Sequence, residues 1–113
     1  MTAAVSPQDT AITRVQNQIL ARLEQPHTID SMAELAGLSP RHFARLFAKD
    51  VQMTPMAFLQ GARIDRARQL LETTDLPLKT VAFHAGFGSV RHMRALFTEK
   101  LGLNPTQYRQ QFS

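Results

Sequence analysis

The sequence contains no cysteine. Disulfide bonds and zinc sites built on thiolates are therefore excluded, and this absence is compatible with a reducing cytoplasm. No apolar run approaches the roughly 20 residues that a membrane-spanning helix requires, and the first residues show no signal-peptide pattern. We expect a soluble, cytoplasmic protein.

Patterns typical of strands and of enzymes are also lacking. Alternating apolar and polar runs, which predict strands, are absent. There is no convincing pair of nucleophile and base, no glycine-rich phosphate loop and no pair of carboxylates, so we predict that the protein is not an enzyme and uses no cofactor. His42 and His92 have no cysteine and no close carboxylate beside them. We therefore predict no metal site.

Positive charge, in contrast, is in excess. Thirteen Lys and Arg stand against nine Asp and Glu, which gives a net charge of +4 and an isoelectric point near 10.4. Ten of the thirteen are Arg, whose guanidinium group can donate two hydrogen bonds at once to a phosphate or a guanine. The composition predicts an anionic partner, and the placement of the charges must show which kind.

One stretch of the sequence occurs twice. Residues 36–47 (AGLSPRHFARLF) correspond to residues 85–97 (AGFGSVRHMRALF), with Gly88 as one extra residue in the second copy. The match continues downstream, where Thr54, Pro55 and Phe58 correspond to Asn104, Pro105 and Tyr108. The repeat predicts two equivalent structural units.

Apolar residues recur at helical spacing, and Ser, Thr, Asp or Asn mark the helix starts, which together predict an all-α fold. We expect about seven helices in two helix-turn-helix subdomains joined by a long linker helix. Helices are predicted at 7–24, 29–36 and 55–73, and further helices from Pro40, Leu78, Val90 and Asn104-Pro105. The predicted segments are 1–5 (a remnant of a linker or of cloning), 6–53 (first subdomain), 54–74 (linker helix) and 75–113 (second subdomain).

Local signals refine this prediction. Ser6 is the expected N-cap of the first helix, and Gly37 and Gly86 the expected turn residues. The expected apolar face of the first helix is Ile12, Val15, Ile19, Leu20 and Leu23. That of the linker helix is Phe58, Ile64, Ala67, Leu70 and Leu71. For the second helices of the two units, the faces are Phe43, Leu46 and Phe47, and Met93, Leu96, Phe97 and Leu101.

The second helix of each unit is basic on the side that its apolar face leaves exposed. The cations are Arg41, Arg45 and Lys49 in one, and Arg91, Arg94 and Lys100 in the other. This placement suits a phosphate backbone and the base edges between the strands. Ser39 and Ser89, at the helix starts, are candidates for binding phosphate oxygens. A linker helix of about 19 residues is about 28 Å long, which approaches the ~34 Å between successive major grooves.

The repeated unit, the segment ARIDRARQLLE (62–72) and the segment AGFGSVRHMRALFTEKLGLNPTQYR (85–109) resemble the DNA-binding domain of AraC/XylS-type transcription regulators. The resemblance covers about residues 9–112. It implies a sequence-specific double-stranded DNA-binding domain that inserts two recognition helices into adjacent major grooves. It also implies a nucleoid-associated location and RNA polymerase as a candidate partner.

Positions matched to the family assign individual roles. The implied base-contacting residues are Arg41, Ala44, Arg45, Val90, Arg91, His92, Arg94 and Ala95. The candidates for backbone contacts are Ser39, Lys49, Thr54, Ser89, Lys100 and Asn104. The sequence also resembles the branch with an N-terminal amidotransferase-like domain. We therefore expect a fragment that is monomeric alone and whose parent protein can oligomerise through a missing domain.

Two questions stay open at the level of sequence. A helical adaptor that binds an acidic protein through the same basic faces is the alternative to DNA binding. Phe83 falls on the outer side of its short helix, where it is either an interface contact or a partly buried lid. The sequence does not choose between these two roles.

Overall fold

The computed structural model describes residues 7–112, and every regular element in that range is an α-helix. The helices are α1 (Pro7–Ala21), α2 (Ile29–Ala36), α3 (Pro40–Val51), α4 (Pro55–Thr73), α5 (Leu78–Ala85), α6 (Val90–Leu101) and α7 (Pro105–Gln110). The predicted all-α fold with seven helices is confirmed over this range. None of the described helices is long and apolar enough to cross a membrane. The predicted N-cap, Ser6, lies outside the described residues.

The chain divides into two compact units. The first contains the residues up to Arg22 and Pro26–Leu59, and the second contains Leu23–Gln25 and the residues from Gln60 onward. α1, α2 and α3 therefore belong to the first unit, and α5, α6 and α7 to the second. α4 contributes its first residues to one and the remainder to the other.

The first unit is built on contacts among α1, α2 and α3. Phe43 and Phe47 are fully buried and their rings lie 5.6 Å apart, a distance typical of favourable aromatic pairs. Further buried side chains are Ala11, Ile12, Val15, Ile19, Met32, Ala33, Ala36 and Leu59. Two residues assigned to apolar faces differ from the prediction, because Leu20 is 51% exposed and Leu46 is only half-buried.

α1 ends three residues earlier than predicted, at Ala21. The amide of Arg22 bonds Ile19 O, three residues earlier, as in a tight final turn. The carbonyl of Arg22 has no amide to pair with four residues later, since residue 26 is proline. His27 Nε2 instead forms a hydrogen bond with Arg22 O at 2.8 Å. The apolar pattern thus extends past the helix, since Leu23 is buried although it lies in a turn.

The prediction for α4 found the correct bounds but missed Leu59, which is fully buried. Leu59 belongs to the first unit, whereas Ile64, Ala67 and Leu71 are buried in the second. Phe58 and Leu70, which were assigned to the same apolar face, are only half-buried. A single-stripe interpretation fails for this helix because its residues serve two separate cores.

The second unit has a core formed by α4, α5, α6 and α7. Its buried members are Ile64, Ala67, Leu71, Val81, Ala82, Ala85, Phe87, Met93, Phe97 and Tyr108. Leu78, Leu96 and Leu101, which were expected on the inward faces, are half-buried against this cluster. Tyr108 packs its ring 5.2 Å from Phe97 and donates its hydroxyl hydrogen to Glu72, so one residue joins the apolar core to a polar contact with α4.

Candidate nucleic-acid interface

The turn between α2 and α3 is defined by two local interactions. Gly37 ends α2 in the left-handed conformation (φ 71°), and its amide donates to carbonyls of the last turn of that helix. Ser39 then caps α3, where its Oγ accepts a hydrogen bond from the amide of His42 at 3.2 Å. Pro40 occupies the first helical position, where its missing amide hydrogen has no cost. The sequence therefore specifies a tight turn and the start of the second helix.

The turn between α5 and α6 repeats this arrangement. Gly86 has φ 92° and Ser89 Oγ accepts from the amide of His92 at 3.0 Å. The surroundings of the two glycines differ, however. A Cβ atom at Gly86 would lie 2.0 Å from Leu23 O and 2.6 Å from Arg63 Nε, whereas nothing lies within 4 Å of the corresponding position at Gly37. The second turn is therefore packed against backbone and the first is open.

α3 presents two arginines to solvent. Arg41 and Arg45 are exposed, and neither makes a hydrogen bond or an ion pair with another described residue. Ala44, which lies between them in sequence, is half-buried. Phe43 and Phe47 point into the core from the opposite side of the helix. Two guanidinium groups, each able to donate two hydrogen bonds at once, are thus carried by a helix whose orientation is fixed by its core packing.

α6 presents a similar but not identical surface. Arg91, Arg94 and Ala95 are exposed, and the two arginines have no partner among the described residues. Val90 is half-buried. The exposed ring of His92 lies edge-on to Phe87, with the ring centroids 5.6 Å apart. One edge of the His92 ring therefore packs against the core-facing Phe87, while the rest of the side chain is exposed.

The predicted backbone-contacting residues lie at helix ends. Thr54 Oγ1 accepts from the amide of Ala57 at 3.1 Å, and Asn104 forms a reciprocal capping box with Gln107. Ser39, Ser89 and Thr54 each accept a hydrogen bond in capping, which leaves the hydroxyl hydrogen available to a phosphate. The side chain of Lys49 is exposed and has no partner among the described residues. Lys100 Nζ lies 3.8 Å from Glu99 Oε2 in an exposed ion pair, and such a pair contributes little to stability.

Other arginines form hydrogen bonds or ion pairs with residues of the chain itself. Arg63 donates to Leu23 O and Gln25 O, Arg109 donates to Leu76 O, and Arg14 donates to Leu35 O. Arg68 donates to the Tyr108 hydroxyl and lies 3.5 Å from Asp65. Burial lowers the pKa of Arg63, and the hydrogen bond with Tyr108 raises the pKa of Arg68, yet both remain charged at neutral pH. The sequence analysis did not separate these arginines from Arg41, Arg45, Arg91 and Arg94.

No group of three or more metal-binding side chains was found among the described residues. His42 is half-buried and His92 packs on Phe87.

Residues 32–111 match a family described as a helix-turn-helix domain. The chain is 37% identical over 87 residues to the helix-turn-helix transcriptional regulator Rv1931c of Mycobacterium tuberculosis, which covers 77% of this chain and 34% of that protein. It is 33% identical over 111 residues to the regulator AlkR of Acinetobacter baylyi, which covers 98% of this chain and 35% of that protein. The chain thus spans about a third of the length of these relatives.

Comparison with solved structures points to the same family. The fold matches the DNA-binding domain of the global transcriptional factor AdpA, which was solved with a target DNA, at a TM-score of 0.87 and 30% identity over 90% of this chain and 92% of that one. It also matches an AraC-type regulator from Chromobacterium violaceum at a TM-score of 0.81 and 27% identity, covering 92% of this chain and 93% of that one. The chain therefore belongs to the helix-turn-helix family of AraC-type DNA-binding domains of transcription regulators, which is not a family of enzymes.

Proposed function

We propose that the chain recognises a specific double-stranded DNA sequence by placing α3 and α6 in adjacent major grooves. The observation that carries this proposal is that each of these helices presents two exposed arginines that have no partner among the described residues. An arginine can bind guanine O6 and N7 with two hydrogen bonds, and a packed helix is a suitable support for such contacts. Arg41, Arg45, Arg91 and Arg94 are the principal base-contacting residues.

The remaining base-contacting positions play smaller parts. Ala44, Val90 and Ala95 have no hydrogen-bonding side chain, so they contact thymine methyl groups or leave room for the bases. His92 presents its ring beside Phe87 and can hydrogen-bond a base edge or a phosphate. Lys49, Lys100 and the capping residues Ser39, Thr54, Ser89 and Asn104 bind phosphates and set the register without reading sequence.

The two helices do not present the same side chains. Corresponding positions carry Ala44 and Arg94, and Arg45 and Ala95. The target is therefore an asymmetric site with two unlike halves, which one molecule can occupy. Family membership favours this function over the alternative of an adaptor whose α3 and α6 bind an acidic protein. Binding of RNA polymerase, an amidotransferase-like domain and oligomerisation of a longer protein stay predictions.

Selection from random DNA sequences with the 113-residue chain tests the proposal. The selected duplex should be protected over two neighbouring major grooves. On that duplex, alanine at any of the four arginines should cost about 1–3 kcal/mol and relax the preference at one base position. Lys49→Ala should instead weaken binding to all sequences and lower the salt dependence.

Arg22→Ala is the matched control, because Arg22 is exposed, has no side-chain partner among the described residues and lies outside α3 and α6. It removes the same charge and should leave base preferences unchanged. If every arginine variant lost equal affinity for the selected and for random duplexes, the four residues would not read sequence. If the selection enriched no sequence, specific DNA recognition by this chain would be wrong.

A further inference from the structure

A surface cavity of about 340 Å³ lies within the second unit, between α5 and the start of α6. Phe83 and Ala82 of α5, Phe87 of the turn and Val90 of α6 provide its apolar wall. Its volume is at the lower end of the range for binding pockets. It can accept an apolar side chain of the size of leucine or phenylalanine.

Phe83 is the most prominent part of this cavity. Its side chain is 62% exposed, the largest exposure among the large apolar side chains of the described residues. Its ring lies edge-on to that of His84, with 5.5 Å between the ring centroids. Removing this exposed apolar surface from water is favourable, so a partner that covered Phe83 would gain from the hydrophobic effect.

The charge at the cavity is positive. Lys79 lies one helical turn before Phe83, lines the cavity, is exposed, and has no partner among the described residues. It is the only charged residue in that lining. The cavity also borders the first turn of α6, whose amides give that end a partial positive charge. An apolar cavity beside the Lys79 ammonium group and these amides is complementary to a partner segment in which an apolar residue is next to an acidic one.

The first unit lacks this arrangement. The positions that correspond to Lys79 and Phe83 are Asp30 and Glu34, so α2 carries two carboxylates where α5 carries a lysine and a phenylalanine. The helix-turn-helix scaffold therefore does not need a lysine and a phenylalanine at these positions. The pair of Lys79 and Phe83 is therefore a feature of the second unit alone.

We infer that this cavity, which we call the Phe83 surface, docks an acidic, amphipathic segment of another protein. A leucine or phenylalanine of the partner fills the space between Phe83, Phe87 and Val90, and a neighbouring carboxylate pairs with Lys79. This surface lies on α5 and at the start of α6. It shares Ser89 and Val90 with the proposed DNA interface, whereas the exposed arginines of α6 lie outside its lining. The inference goes beyond DNA binding and does not depend on it.

The test is a titration of the ¹⁵N-labelled 113-residue chain with synthetic peptides, followed by NMR. The probe is a short peptide that contains leucines separated by glutamates. One control peptide carries lysines in place of the glutamates, and the other carries serines in place of the leucines. Only the first peptide should shift the amide signals of Lys79, Phe83, Gly88 and Val90.

Two variants and one control assign the binding. Phe83→Ser and Lys79→Glu should each weaken the peptide about tenfold, which corresponds to about 1.4 kcal/mol. Leu20→Ser removes a similarly exposed apolar side chain that does not line the cavity, and it should have no effect. Because Phe83 and Lys79 are exposed, the variants should retain their helical circular dichroism.

Three results would overturn the inference. One is the absence of peptide-induced shifts at the Phe83 surface. Another is equal binding of the acidic and the basic peptide, which would exclude a role for Lys79. The last is loss of affinity for the selected DNA duplex in both Phe83→Ser and Lys79→Glu, since the surface would then belong to the DNA interface.

Discussion

The two helix-turn-helix units share the same turn and cap residues. They differ in what surrounds their turn glycines and in the residues that α3 and α6 expose. Both have a glycine in the left-handed conformation, a serine N-cap and a second helix with two aromatic or sulfur-containing side chains in the core. A Cβ atom would collide with other backbone at Gly86 but would meet nothing within 4 Å at Gly37. The comparison shows that a repeated scaffold can be anchored differently in each copy while it supports different surface residues.

The polar contacts of the second unit illustrate this difference. Tyr108 donates to Glu72 and accepts from Arg68, whereas the corresponding residue of the first unit, Phe58, has no hydroxyl group. Arg63 holds the segment Leu23–Gln25 through two carbonyl groups. The second unit therefore combines its apolar core with side-chain hydrogen bonds between residues far apart in sequence.

The largest expected effect comes from adding a methyl group at each turn glycine. Gly37→Ala should cost about 1–2 kcal/mol, because alanine is strained in the left-handed conformation. Gly86→Ala should cost roughly 1–3 kcal/mol more, since its Cβ collides with Leu23 O and Arg63 Nε. Urea unfolding followed by circular dichroism, with amide hydrogen exchange in α3 and α6, measures both losses.

Gly88→Ala is the control for this pair, because nothing lies within 4 Å of its Cβ position and its φ is not positive. It should change the free energy of unfolding least. Equal losses for Gly37→Ala and Gly86→Ala would show that the backbone contact at the second turn does not matter for stability.

An intermediate effect is expected from exchanging the residues that distinguish the two recognition helices. The double variant Ala44→Arg with Arg45→Ala gives α3 the pattern of Arg94 and Ala95 in α6. The preferred bases of the first half-site should shift toward those of the second, with a loss of about 1–3 kcal/mol on the original site. A random-sequence selection with the variant measures the shift.

Because Ala44 is half-buried, the circular dichroism spectrum and the melting temperature of this variant must match those of the unchanged chain. An unaltered base preference with an intact fold would show that these positions do not read DNA.

The smallest effect concerns the C-caps of the recognition helices. Gln52 ends α3 with φ 65°, whereas Gly102 ends α6 with φ 78°. Gln52→Gly should stabilise the protein by up to about 1 kcal/mol, because glycine adopts this conformation without strain. The gain is limited because Gln52 Nε2 donates to Lys49 O at 2.7 Å and this bond is lost. A lower melting temperature than that of the unchanged chain would mean that the side-chain bond outweighs the strain.

The helices and their caps could be predicted from sequence because their signals are local. Ser39, Ser89, Thr54 and Asn104 each accept a hydrogen bond from an amide three residues later, so a short window contains the whole interaction. The turn glycines are equally local. The resemblance supplied the roles of the exposed residues on α3 and α6, and those roles stay predictions.

The core was predicted less completely. Phe87 was not assigned to it, although this residue is buried in the turn before α6. Leu59 was missed because α4 serves two units. The end of α1 was misplaced because the helix closes at Arg22 in a tight turn, with an amide bonded three residues back, although the apolar pattern continues to Leu23. Helical periodicity alone does not show which apolar residues are buried when they lie in a turn or in a helix that belongs to two units.

The sequence by itself determined the repeated helices, where they start, the turn glycines Gly37 and Gly86, and the positions at which α3 and α6 differ. Only the tertiary structure decided which arginines hold the fold and which are free. Arg63, Arg109 and Arg14 donate to carbonyl groups that lie 21 to 40 residues away in sequence, whereas Arg41 and Arg94 have no partner among residues 7–112. The reason is that a side chain and a carbonyl group so far apart in sequence can bond only after the core has packed and brought them together.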